Sequence, residues 1–125
     1  MELLRHTGRP SEPADEKHFT GVATLQRFLA EDPSASGRVY RVAFATGGRT
    51  HWHTHDGVQL LLIVEGRCQV QTWGGPVITA DAGDVVRIEA GEKHWHGASA
   101  DHSTAHFAVN LGTRTEWLEP VEERS

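Results

Sequence analysis

The sequence of 125 residues holds one cysteine, one methionine and one tyrosine. A lone Cys68 excludes an internal disulfide and any zinc module built on several cysteines; it is expected to face the core or a strand neighbour. Long apolar runs are missing as well. The longest, Leu60-Leu61-Leu62-Ile63-Val64, falls far short of the roughly 20 residues a membrane-spanning helix needs. Positive charge is in deficit: 12 Lys and Arg stand against 17 Asp and Glu, a formal net charge of −5. That balance releases no counterions from DNA or RNA, so no nucleic-acid partner is expected. The first twenty residues carry charges throughout and lack an apolar export segment, which together with the single thiol leads to an expected cytoplasmic setting.

Hydrophobic residues make up 38% of the chain and charged residues 23%, a globular balance with room for one core only. Residues 1–18, with Pro10 and Pro13, read as a polar N-terminal arm that would lie against a partner subunit; residues 19–125 read as the folded domain. From Phe19 onward, short runs rich in β-branched and aromatic residues alternate with turn residues such as Gly47-Gly48, Asp56-Gly57, Glu65-Gly66 and Gly74-Gly75-Pro76. Turn signals every eight to twelve residues or so predict an all-β sandwich or barrel. Leu25 to Glu31 is the single stretch with helical character. In Val39–Ala45 the alternation sends Tyr40, Val42 and Phe44 to one face, expected to line an apolar pocket. In Ala105–Leu111 it separates His106, Ala108 and Asn110 from Phe107, Val109 and Leu111. Asn110 would add one polar contact to the pocket.

Histidine is abundant: nine residues, seven of them between His51 and His106. His53 and His55 are two apart on a strand, so their imidazoles share a face. Gln59 follows across the Asp56-Gly57 turn, and His94 lies in a second segment, Gly91-Glu92-Lys93-His94-Trp95-His96. Three imidazoles and one amide oxygen make a ligand set that leaves two positions of an octahedral ion open.

These two segments resemble the paired motifs of the cupin superfamily. The first runs Gly47, His53, His55, Gln59, Gly66; the second runs Gly83, Glu89, Gly91, His94, Ala98, with Glu89 and Ala98 standing where the family has Pro and Asn. The resemblance covers roughly Val39 to Leu111 and implies a single-domain cupin barrel, a double-stranded β-helix or jelly roll. GGRTHWHTHDGVQ and AGEKHWHGA are similar to a small branch of cupins that includes bacterial manganese-dependent hydroxynitrile lyases. That resemblance implies cleavage or formation of cyanohydrins at a metal held by His53, His55, Gln59 and His94. Gln59 replaces the usual Glu, so the ligands carry no charge to offset the ion, which favours an anionic exogenous ligand. Oxygen at one corner and no thiolate fit Mn(II) first and Fe(II) next, with Co, Ni or Zn admitted by availability.

His96 and His106 are expected to face the same interior and to move protons or to hold the ligands in place. His51 is expected at the barrel mouth, and His6, His18 and His102 in solvent. Trp52 and Trp95 should point away from the metal and pack the sheet or a dimer contact. Arg5, Arg9 and Glu119–Glu123 read as solvated. Two other functions stay open: a quercetinase-like dioxygenase of small enols or phenols, and a non-enzymatic ligand-binding cupin. A small-molecule substrate is expected, and the resemblance implies a homodimer or homotetramer.

Overall fold

The computed structural model describes residues 1–122. Twelve strands form the fold: β1 (Glu12–Pro13), β2 (Phe19–Thr20), β3 (Ala23–Leu29), β4 (Arg38–Phe44), β5 (Arg49–Thr50), β6 (His53–His55), β7 (Gln59–Thr72), β8 (Val77–Asp81), β9 (Val85–Ile88), β10 (His94–Ala98), β11 (Thr104–Asn110) and β12 (Thr115–Trp117). Every pairing is antiparallel. No helix occurs among the described residues, and none is long and apolar enough to cross a membrane.

Two sheets share β7. Its first half lies between β11 and β9, and its second half between β10 and β8. The side-chain phase changes between the halves: Gln59, Leu61 and Ile63 are buried, and then Cys68 and Val70. A two-residue period cannot pass from odd to even positions without an irregularity. The change occurs at Glu65-Gly66, where Gly66 takes a φ of 68° and the β11 register shifts between Ala105 and His106. Glu65-Gly66, expected to end a strand, instead bends one 14-residue strand from one sheet into the other.

Leu25 to Glu31 does not form a helix. Ala23–Leu29 is a strand paired on both edges, with β1 and β4, and Leu25 packs against the cluster of Ala23, Val42, Phe44 and Ala98. Pairing and burial outweigh the local helical preference. The N-terminal arm lies on its own chain: the Gln26 amide accepts from His6 Nδ1 at 2.7 Å and donates to the His6 and Arg9 carbonyls. Arg9 sits 4.2 Å above the Phe28 ring and donates to the Arg27 carbonyl at 3.1 Å. Arg9, read as solvated, is therefore anchored, whereas His6 is exposed as read and also bonded to Gln26.

Leu61, Ile63, Cys68, Val70, Ala80, Ile88 and Ala108 form one buried core cluster. Burial pushes the Cys68 thiol up to about 12, which leaves it inert near neutral pH. Trp52 and Trp95 pack with Val121 in a separate cluster, turned away from the histidines. Glu119 takes an ion pair with Lys93 at 3.0 Å, and Glu123 lies outside the described residues.

Candidate metal centre

Strand pairing gathers residues far apart in sequence. His53 on β6 is directly opposite His94 on β10 and Trp117 on β12, and Thr115 is opposite His55. On the facing sheet, Gln59, Asn110 and Arg38 form one cross-strand row, with Leu61, Ala108 and Tyr40 in the next. Each row lies on the inward parity of its strand, so both sheets aim side chains into one space.

Five imidazoles meet there. The ring of His53 is 4.9 Å from His55, 4.2 Å from His94 and 5.3 Å from His96, and His106 is 4.8 Å from His96. Ligating nitrogens of His53, His94 and His96 all lie within 4.8 Å of one another, close enough to hold one divalent ion. His96, expected to move protons or to hold the ligands in place, thus brings a third imidazole nitrogen beside those of His53 and His94.

Hydrogen bonds set the tautomers. His53 Nδ1 donates to the His51 carbonyl at 2.9 Å, and His94 Nδ1 to the Glu92 carbonyl at 2.7 Å. Each ring's second nitrogen, Nε2, is then a lone-pair donor when neutral. His55 Nδ1 shares a 3.0 Å bond with Thr115 Oγ1, and its Nε2 has no hydrogen bond of good geometry although the Gln59 amide lies beside it. The Gln59 amide is oriented by Asn110, whose Oδ1 accepts from Gln59 Nε2 at 2.7 Å, so Oε1 turns toward the histidines.

His94 Nε2 and Gln59 Oε1 face each other at 3.2 Å. With Nδ1 carrying the His94 proton, both are acceptors, and only a proton or a cation between them satisfies the pair. Burial opposes the proton. It holds His53 and His96 well below the usual imidazole value, lowers His94, and lowers His55 to about 4 with help from the neighbouring His94. A buried donor set of neutral nitrogens and an amide oxygen, with His55 Nε2 and His96 Nε2 unpartnered, fits a divalent ion.

A cavity of about 310 Å³ opens onto the cluster, with His53, His55, Gln59 and His96 on its wall. Tyr40, Val42 and Asn110 line it as expected. Phe44 does not: it is buried beneath, 5.5 Å from the His106 ring and edge-on to His96 at 6.2 Å. His106 does not line the cavity either. It is fully buried, with Nε2 at 2.9 Å from His96 Nδ1, and acts on the site only through His96. His18 is not free in solvent. It lines the mouth, stacked on Trp117 at 4.6 Å with ring planes 5° apart, near Asp15 at 3.7 Å. His51 is buried and carries the site through its carbonyl, while His102 is exposed.

Thr115, Trp117, Phe19 and His18 escaped the sequence reading. Alternation places Thr115 and Trp117 on one face of their strand, a usable signal once β12 is known to pair with β6. Nothing in the sequence around Asp15, His18 and Phe19 indicates that they line the cavity.

Residues 40–111 match the family model of the cupin domain. The chain belongs to the cupin family. This cupin is 35% identical over 127 residues to the (R)-mandelonitrile lyase of Granulicella tundricola, across 98% of this chain and 96% of that protein. It is 31% identical to a cupin-like protein of Thermotoga maritima, with a TM-score of 0.84 over 98% of this chain and 92% of the other. The polyketide cyclase RemF of Streptomyces resistomycificus shares the fold at 14% identity and a TM-score of 0.75, covering 99% and 87% of the two chains. The cupin barrel therefore hosts more than one chemistry, and the specific reaction has to be argued from the site.

Proposed function

We propose that this cupin is a metal-dependent hydroxynitrile lyase, cleaving or forming cyanohydrins, with His53, His55, Gln59 and His94 as ligands and Mn(II) as the favoured ion. The observation that carries the reading is the meeting of His94 Nε2 and Gln59 Oε1, two lone-pair atoms at 3.2 Å, in a ring of neutral imidazoles without a carboxylate. The near full-length likeness to a mandelonitrile lyase supports the choice of reaction. A divalent ion bound there supplies Lewis acidity to a substrate hydroxyl or to cyanide, undiminished by ligand charge.

The chain's own groups do the rest. Tyr40, Val42, Leu25 and Ala108 give the cavity apolar walls that hold the organic part of a small substrate and exclude water. In this reading His96 stays off the cation: held neutral by burial, it presents an unpartnered Nε2 into the site that accepts a hydrogen bond from the substrate hydroxyl. His106, bonded to the far side of that ring, fixes its orientation and tautomer. His106 is therefore a positioning residue. Among the described residues Asp15 is the only carboxylate on the cavity wall, and none belongs to the imidazole cluster, which favours the lyase over a dioxygenase.

Manganese-loaded protein is expected to release cyanide from mandelonitrile, and His53→Ala to release none above background. Release equal in the two proteins, or absent from both, would overturn the reading. Metal-dependent oxygen uptake with flavonols or catechols would put a dioxygenase in its place.

A further inference from the structure

A second cavity, about 190 Å³, opens off the first and shares Tyr40, His55, Asn110 and Thr115 with it. Its remaining wall is Arg38, Arg114 and the Gly112-Thr113 backbone. Among the described residues, two guanidinium groups and no carboxylate line it, in a chain whose net charge is −5. Arg38 opens β4 on the parity of Tyr40 and Val42, is half-buried, and lies in the row Arg38, Asn110, Gln59. Two strand spacings put its Cα about 10 Å from that of Gln59.

Arg38 has no ion-pair partner among the described residues. Its Nη1 donates to the Thr113 carbonyl at 3.0 Å, which leaves most of the donor fork unused. Glu31 lines a neighbouring cavity with Arg38 but is not within ion-pair distance of it, and two other nearby acids are engaged elsewhere. Asp56 accepts from the Thr113 amide and hydroxyl and from the Arg114 amide, and Asp32 accepts from the Ser34 amide and hydroxyl. Arg114, 84% exposed and 3.8 Å from Asp56, adds charge at the rim. The Gly112-Thr113 loop that accepts from Arg38 is tied down by Asp56, so the guanidinium is held by a fixed wall.

We propose that this side cavity is a carboxylate subsite anchored by Arg38. The natural substrate is then an aldehyde or cyanohydrin with a carboxylate at the end away from the cation. The substrate class rests on the lyase reading above; the subsite rests on Arg38 and its cavity. A guanidinium fork pairs with a carboxylate through two parallel hydrogen bonds, which an ammonium cannot reproduce.

The test is calorimetric binding of 4-(hydroxymethyl)benzoate and 4-(hydroxymethyl)benzamide to the full chain, with manganese and without. The expected result is about tenfold tighter binding of the carboxylate in both states, lost in Arg38→Gln, partly kept in Arg38→Lys, and weakened by about 0.5 M salt. Should Arg38→Gln fail to fold, Arg38→Lys and the salt dependence of the unaltered chain give the same reading. Equal affinity for the two compounds, no binding of either, or a preference that survives in Arg38→Gln overturns the subsite. A carboxylate preference confined to the manganese-loaded form also overturns it, because the carboxylate is then on the metal. The cyanide assay separates the two readings: Arg38-dependent binding without cyanohydrin cleavage removes the lyase and keeps the subsite, and cleavage without charge preference does the reverse.

Discussion

Asn110 decides which end of the Gln59 amide faces the histidines. Its Oδ1 takes the Gln59 Nε2 proton at 2.7 Å, and the amide oxygen is left for the cluster. Partners one bond removed from a ligand typically alter metal affinity by about ten- to a hundredfold. Asn110→Leu is therefore expected to weaken manganese binding within that range in calorimetry; an unchanged affinity would mean that Gln59 is no ligand. His106 carries a different consequence. Burial, aided by the Arg41 charge, lowers its imidazole from the ordinary 6.5 to about 4. The folded value lies below the unfolded one, so between pH 6.5 and 4 the unfolded chain binds more protons. Stability is complete above pH 6.5, declines as pH falls through that window, and levels off below it. On the order of 3 kcal/mol is lost from this residue alone, and the other buried imidazoles act with the same sign. The urea midpoint of the metal-free chain should drop between pH 7 and pH 4.5; a constant midpoint would contradict the burial argument.

At the scale of the element, β7 brings the two sheets into one barrel, and its bend depends on Gly66. A Cβ there would collide with the Ser103 carbonyl oxygen, and the φ of 68° already disfavours any side chain. Gly66→Ala is expected to cost about 3 kcal/mol or more in denaturant unfolding. A loss no larger than that of an exposed strand glycine would show that the bend relaxes freely. The strands that alternate cleanly, such as Val39–Ala45 and Ala105–Leu111, were legible to within a residue because one face meets the core. The bend was not, since a glycine between two apolar runs looks the same whether the chain turns back or continues. Leu25–Glu31 failed for a related reason: its strand state is imposed by β1 and β4, which lie well outside any local window.

For the whole molecule, the site is the place where distant segments are forced together. That His53, His55, Gln59 and His94 face one space could be read from spacing, because a strand fixes which side chains share a face; that a ring nitrogen of His96 lies within 4.8 Å of those of His53 and His94 could not. The walls could not, since residues 15–19 and 115–117 reach the cavity only through the pairing of β2 with β5 and β12 with β6. An ion at the cluster would tie β6 and β10 of one sheet to β7, which belongs to both, so its binding energy is also folding energy. At a free concentration a hundredfold above the dissociation constant, linkage contributes about 2.7 kcal/mol. For a domain of this size that is a shift of about 10 °C in Tm. Stripping with a chelator should lower Tm by roughly that amount, manganese should restore it, and His53→Ala should show no shift in either direction. A Tm indifferent to both chelator and manganese in the unaltered chain would identify the five imidazoles as a polar core that satisfies itself, and the lone-pair contact between His94 and Gln59 as a bond through a proton rather than through a metal.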